Sequence, residues 1–168
     1  MSGRNDGIGD LVRGMLAGIA ATWVMGRVTT LMYEREDPKA RKLEDDARDG
    51  RTAYEVAAEK SAAMVGRELS EEERATAGAA IHWALGAGAG ALYGALRGRV
   101  PGLDAGAGLV YGVAFFLVVD EAGNTVLGLT PGPRAFPWQA HARGLVGHVV
   151  FGVASELTLR ALDRAMVR

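Results

Sequence analysis

The chain of 168 residues contains no cysteine. Disulfides, thiolate metal sites and cysteine nucleophiles are therefore excluded. It also lacks a surplus of either charge: 19 Lys and Arg stand against 20 Asp and Glu, a formal net charge of −1. Nucleic-acid binders need clustered excess base, so that partner class is set aside. There is no HExxH or ExxH metal motif, and Ser155 near His148 is no convincing nucleophile–base pair. "GAGAGALYG" (86–94) resembles a nucleotide-binding loop only superficially, because no strand precedes it and it lies inside an apolar run. No reaction follows from these residues, and a non-enzymatic role is expected. No cleavable signal is expected from the first apolar segment, which ends in bulky "LMYERE" rather than small-x-small.

Glycine is what the chain has in excess, 24 residues without a collagen-like period. Mean hydropathy is only +0.07, but the average conceals a division. Residues 34–75 hold 13 Asp and Glu and 9 Lys and Arg, more than half of all the charge. The remainder contains four apolar segments. "TAGAAIHWALGAGAGALYGAL" (76–96) carries no formal charge, and at 1.5 Å per residue it spans roughly 30 Å, the thickness of a bilayer core. "GMLAGIAATWVMG" (14–26), "AGAGLVYGVAFFLVV" (105–119) and "GLVGHVVFGVASE" (144–156) are shorter.

Glycine decides how to read the short ones. In a water-facing helix each costs about 1 kcal/mol against alanine. Here Gly86, Gly90, Gly94 and Gly98 recur every fourth residue, as do Gly14, Gly18 and Gly26 with Thr22 in the gap. Such stripes let helix backbones approach closely in lipid. The expectation is an all-α integral membrane bundle of four transmembrane helices, about 8–33, 71–97, 103–128 and 138–163, forming one domain over 1–168. The 34–70 stretch becomes a charged extracytoplasmic insert with a short amphipathic helix at about 52–67. There Tyr54, Ala57, Ala58, Ser61, Met64 and Val65 share a face. Thr52 with Glu55, and Ser70 with Glu73, have capping-box spacing. Basic flanks (Arg4, Arg13, Arg97, Arg99, Arg160, Arg164, Arg168) place both termini in the cytoplasm. Tyr33 and Trp138 are the expected interface anchors. The bilayer is the expected partner, with a homo-oligomer as a further use of the glycine stripes.

Ionisable groups at membrane depth are costly and mark functional sites. Counted from the outer helix ends, Arg27 and His82 lie about 9 Å deep, and Asp120, Glu121 and His148 about 15 Å. Asn124 and His141 lie higher. All converge in the outer half, where Arg27 is expected to pair with Asp120 or Glu121. On the last helix His141, His148, Gly152 and Glu156 share one face, with Glu156 near the cytoplasmic end in reach of Arg160. Gly152 is expected to leave room between His148 and Glu156. The set Arg27, His82, Asp120, Glu121, Asn124, His141, His148 and Glu156 suits proton or small-ion transfer. A purely structural lock is the competing reading. A third is a haem or metal at His82 and His148; otherwise no cofactor is expected.

"HWALGAGAGALYG", with Tyr93 eleven residues after His82, and "GLTPGPRAFPW" followed by "GHVVFGVASE" carry a resemblance. Together with Arg27 late in the first helix and "GRELSEEERATAG" before the second, they resemble the YagU-like family of bacterial inner-membrane proteins. The resemblance covers about residues 10–163 and implies a multi-span inner-membrane protein without implying a substrate. Asp120, Glu121 and His141 fall outside its pattern, so their roles rest on depth alone. His82-x-x-x-Gly86 and His148-x-x-x-Gly152 also form a faint internal echo, as in a parallel repeat.

Overall fold

The computed structural model describes residues 7–166, so Arg4 and Arg168 of the basic flanks lie outside the described residues. The described residues form helices without strands: α1 (Gly7–Glu34), α2 (Pro38–Arg48), α3 (Ala53–Ala63), α4 (Glu71–Leu96), α5 (Leu109–Phe115), α6 (Asn124–Val126) and α7 (Trp138–Met166). A π-helical segment, Phe116–Gly123, joins α5 to α6 without a break, and a 3₁₀ turn at Pro133–Ala135 precedes α7. Three helices are long and apolar enough to cross a membrane: Gly7–Glu34, the continuous Leu109–Val126 and Trp138–Met166. At 26 residues α4 is long enough as well, about 39 Å. It lies outside that group: alanine and glycine make up its apolar stretch, and Glu71–Glu73 with Arg74 occupy its first turn.

The bundle is held by small residues. α1 packs on α4 and α7, and α7 packs on α5. A Cβ on Gly90 would lie 2.4 Å from Gly18 Cα, and one on Gly18 would lie 2.3 Å from the Gly86 carbonyl oxygen. Gly14 meets Gly90 and Ala91, and Gly94 meets Asp10 and Gly14. A methyl at any of these crossings would collide with backbone, which cannot step aside. Gly26 and Gly98, in phase with the stripes, have open space instead, and Gly98 lies past the end of α4. The α5–α7 crossing works the same way: Gly152 sits against Gly108 and Gly112. Gly152 therefore does not leave room between His148 and Glu156; it closes the space.

Around these crossings the core is Ala17, Ala21, Ala89, Tyr93, Tyr111, Phe151 and Leu159. Tyr93 stacks on Tyr111 at 4.5 Å, and the Tyr111 hydroxyl donates to the Ala89 carbonyl at 2.8 Å, tying α4 to α5. Large apolar side chains point the other way. Leu16, Trp23, Leu92, Leu117, Val118 and Leu157 are all exposed. Small residues at the helix crossings and many large apolar ones facing outward suit a lipid environment, where packing rather than burial from water drives association.

The third apolar helix begins later than 103. Gly102, Gly106, Ala107 and Gly108 take positive φ, so the chain turns through 101–108 before α5 can start. The charged insert holds two helices rather than one. Asp37 caps α2 through the Lys39 amide, with Pro38 in the first turn, where its missing N–H costs nothing. Both expected capping boxes are formed, Thr52/Glu55 on α3 and Ser70/Glu73 on α4. α3 stops at Ala63, which leaves Met64 and Val65 exposed and not on a buried face. α3 packs on α4 where Gly78 admits the Glu55 backbone. Lys60 Nζ then donates to the Leu127 carbonyl at 2.8 Å, joining α3 to the end of α6.

Candidate functional site

The insert end of the bundle encloses a cavity of about 260 Å³. Its wall includes His82 from α4, Asp120 and Glu121 from the π segment, Asn124 from α6, and His141 and His148 from α7. Six of the eight polar residues singled out in the sequence thus share one space. The other two do not. Arg27 is exposed, and among the described residues it makes no ion pair. It stands one residue past Gly26, about 100° around the helix from the inward stripe. Its long side chain, about 10 Å from the helix end, is placed to snorkel along the outside. Glu156 lies at the opposite end of α7, beyond the Gly108–Gly112–Gly152 crossing.

The π segment explains how two consecutive carboxylates reach one helix. Asp120 and Glu121 sit on a widened turn of i→i+5 hydrogen bonds, a geometry concentrated at functional sites. Glu121 Oε1 lies 2.6 Å from His141 Nδ1, and Asp120 Oδ2 lies 3.8 Å from His148 Nδ1. Gly144 makes the second approach possible, since a Cβ there would stand 3.0 Å from Asp120 Oδ2 and 2.9 Å from the Phe116 ring.

The hydrogen bonds assign roles to the three imidazoles. His141 faces an acceptor with each nitrogen, Glu121 at 2.6 Å and the Pro133 carbonyl at 3.0 Å. Only the imidazolium donates from both. His148 is 5 % exposed and its Nδ1 lies 2.9 Å from the Gly144 carbonyl. That bond holds the proton on Nδ1, so in the neutral ring Nε2 is an acceptor. His82 packs edge-on against Tyr54 at 4.6 Å, and its buried Nδ1 has no hydrogen-bond partner. Burial pushes the Tyr54 phenol up to about 12, so it stays a neutral hydroxyl in the wall. His82 and His148 also line a second void of about 20 Å³. That is room for about one water.

Two arginines in the wall were not legible as site residues. Arg143 on α7 is 8 % exposed and reaches into the insert, 2.5 Å from Glu36 and 2.5 Å from both oxygens of Glu44. Its guanidinium also lies 4.9 Å from the centre of the Tyr33 ring, whose hydroxyl donates to Asp45 at 2.9 Å. Tyr33 is thus tied to α2. Arg48 binds the same Glu44 at 2.6 Å and covers the Phe136 ring at 5.7 Å. Glu44, 1 % exposed, is the hub of this clasp. The only hint in the sequence was the i, i+4 series Ala40, Glu44, Arg48 on one face of α2.

The terminal end is built differently. Glu156, 3 % exposed, accepts from the Tyr93 hydroxyl at 2.8 Å, Arg97 at 3.3 Å and Arg160 at 2.7 Å. The expected Arg160 partner is present, and Arg97 also binds Asp163. Phe115, Tyr111 and Phe151 fill the space between this cluster and His148. Among the described residues no group of three or more His, Asp or Glu side chains converges in a way that could hold a metal ion.

No protein-family model, no curated protein and no solved structure matches the chain.

Proposed function

We propose that this is a bacterial inner-membrane protein of four spanning helices, both termini cytoplasmic, related to the YagU-like proteins. Its insert-end cavity takes up a proton or small cation as part of transport or channel activity. One observation carries the reading: acids and imidazoles from three elements line a single cavity, while aromatic side chains fill the bundle on the other side of His148. Groups that titrate near neutrality beside carboxylates at membrane depth are the chemistry of proton and ion transfer. α4 counts as a span here because its glycine face is buried against α1 and its Trp83, Leu85 and Leu92 face outward.

Flux assays in liposomes test this reading. The reconstituted protein carries protons or a monovalent cation faster than empty vesicles, and Asp120→Asn slows that flux by about tenfold or more. Flux no faster than that of empty vesicles, across the common monovalent cations and protons, would sink the reading. A second reading is favoured by the Arg143 clasp: a membrane protein without transport, whose ion pairs fasten an insert that docks a partner. It predicts that Arg143→Gln abolishes partner capture while Asp120→Asn has no effect.

A further inference from the structure

The charges around the cavity can be balanced residue by residue. Arg143 and Arg48 are matched by Glu36 and Glu44 at 2.5–2.6 Å. His141, donating from both nitrogens, is matched by Glu121. One carboxylate remains. Asp120 has only the neutral Asn124 amide at 3.3 Å and the distant His148 Nδ1 at 3.8 Å. It is the most weakly paired of these carboxylates, and it lines the cavity.

Among the described residues, His82 Nδ1 and Arg48 Nε are the wall's buried side-chain atoms without a hydrogen-bond partner, and Arg48 is already held by Glu44. Each imidazole can supply an acceptor: a neutral His148 that donates from Nδ1 to the Gly144 carbonyl leaves Nε2 to accept, and a neutral His82 has one ring nitrogen free to do so. With Asp120, the two imidazoles offer acceptors beside a weakly paired carboxylate. The ligand that fits brings one positive charge and several N–H donors. Phe116, Phe136 and Tyr54 supply aromatic surface in the same wall, and such faces attract cations. The chain already demonstrates that chemistry, since the Arg48 guanidinium lies over Phe136. At about 260 Å³ the space is below the usual range for drug-sized ligands, roughly 300–1,000 Å³, so the occupant is small.

We infer that the cavity binds a small organic cation bearing N–H donors, an alkylammonium or guanidinium compound, with Asp120 as counter-ion and His82 and His148 as acceptors. This rests on the reading of the cavity as a cation site and narrows it from any proton or small ion to a ligand class.

Titration calorimetry on the full chain in lipid nanodiscs, at constant ionic strength, tests it with methylammonium, tetramethylammonium and sodium chlorides. Methylammonium binds saturably, and tetramethylammonium, with equal charge and no N–H donor, binds at least about tenfold more weakly, as does sodium. Asp120→Asn loses methylammonium binding, while Glu156→Gln keeps it. Should Asp120→Asn fail to fold, the contrast between the two ammonium ions in the wild type still decides. Equal binding of both, or no saturable binding of methylammonium, overturns the inference. Asp120-dependent proton or sodium flux without methylammonium binding would overturn this inference alone; absent flux would remove the cation-site reading as well.

Discussion

The two ends of α7 each bury acidic and basic groups, yet they do opposite things with them. At the terminal end Glu156 is surrounded by Tyr93, Arg97 and Arg160, and the aromatic core closes over it. Glu156, Arg97, Arg160 and Asp163 there are all paired, and aromatic side chains pack beside them. At the insert end, His148 and Asp120, two turns or so away along the bundle, border a cavity and hold unused acceptors. Burial alone therefore does not mark a functional carboxylate. A satisfied one locks the bundle, and one with spare capacity beside a void is available to a ligand.

Several substitutions would break or sharpen that contrast. The largest effect is expected between the two ends, at the crossing that fixes both. Gly90→Leu places a side chain where even a Cβ would meet Gly18 Cα at 2.4 Å. Overpacking at a yielding site costs about 1–3 kcal/mol; against unyielding backbone, loss of the monodisperse species on size-exclusion chromatography is expected. Next comes Glu156→Gln, which leaves the half-buried guanidinium of Arg97 partly unmatched. Breaking a buried pair costs about 3–5 kcal/mol where no water reaches it. Arg97 keeps Asp163, which moderates the loss. Thermal unfolding should shift well below wild type while methylammonium binding persists.

Arg143→Gln should act on the insert without melting the bundle. α2 buries only Ala40 and Glu44, so its attachment depends on the clasp. Hydrogen exchange in 38–48 should accelerate strongly while α1 and α4 stay protected; unchanged protection would show that α2 is held by something else. The smallest effect is at the α3 cap. The Thr52 backbone N–H holds the Glu55 carboxyl below the usual carboxylate range. Such a depressed group stabilises above its unfolded value of about 4.3 and loses that contribution as pH falls through its folded value. Exchange within 53–63 should rise below about pH 4. Thr52→Ala, at about 1 kcal/mol, should already raise it at pH 7.

How much of this the sequence carried depends on which coordinate was needed. Spacing of four located Gly14, Gly18, Gly86, Gly90 and Gly94 at real crossings, because helical periodicity fixes a face. Depth along a helix brought His82, Asp120, Glu121, Asn124, His141 and His148 to one level, where the structure collects them. Depth says nothing of azimuth. Arg27 was therefore placed at the right height on the wrong side. The same omission joined Glu156 to His148, since a shared helix face ignores the helix that crosses between them. Arg143 read as a flanking charge because its partners, Glu36 and Glu44, lie about 100 residues away in an insert whose first helix went unrecognised. The π segment had no compositional signal at all: Phe116–Gly123 reads as any apolar helix, and only its hydrogen bonds distinguish it. The echo of His-x-x-x-Gly has a counterpart in the fold. Gly86 and Gly152 both sit at crossings, and both histidines face the same cavity.

The absence of cysteine makes the contrast between the two ends directly measurable, since a single introduced thiol has no background. Thr125→Cys lies in the cavity wall, and Ser155→Cys, at a position with no exposure, lies in the closed half. In reconstituted vesicles, a water-soluble, membrane-impermeant cationic thiol reagent should modify the first rapidly when added on the insert side. It should leave the second unmodified from either side. Equal reactivity at the two positions, or reaction only at 155, would contradict a bundle that is open to small cations at one end and sealed at the other.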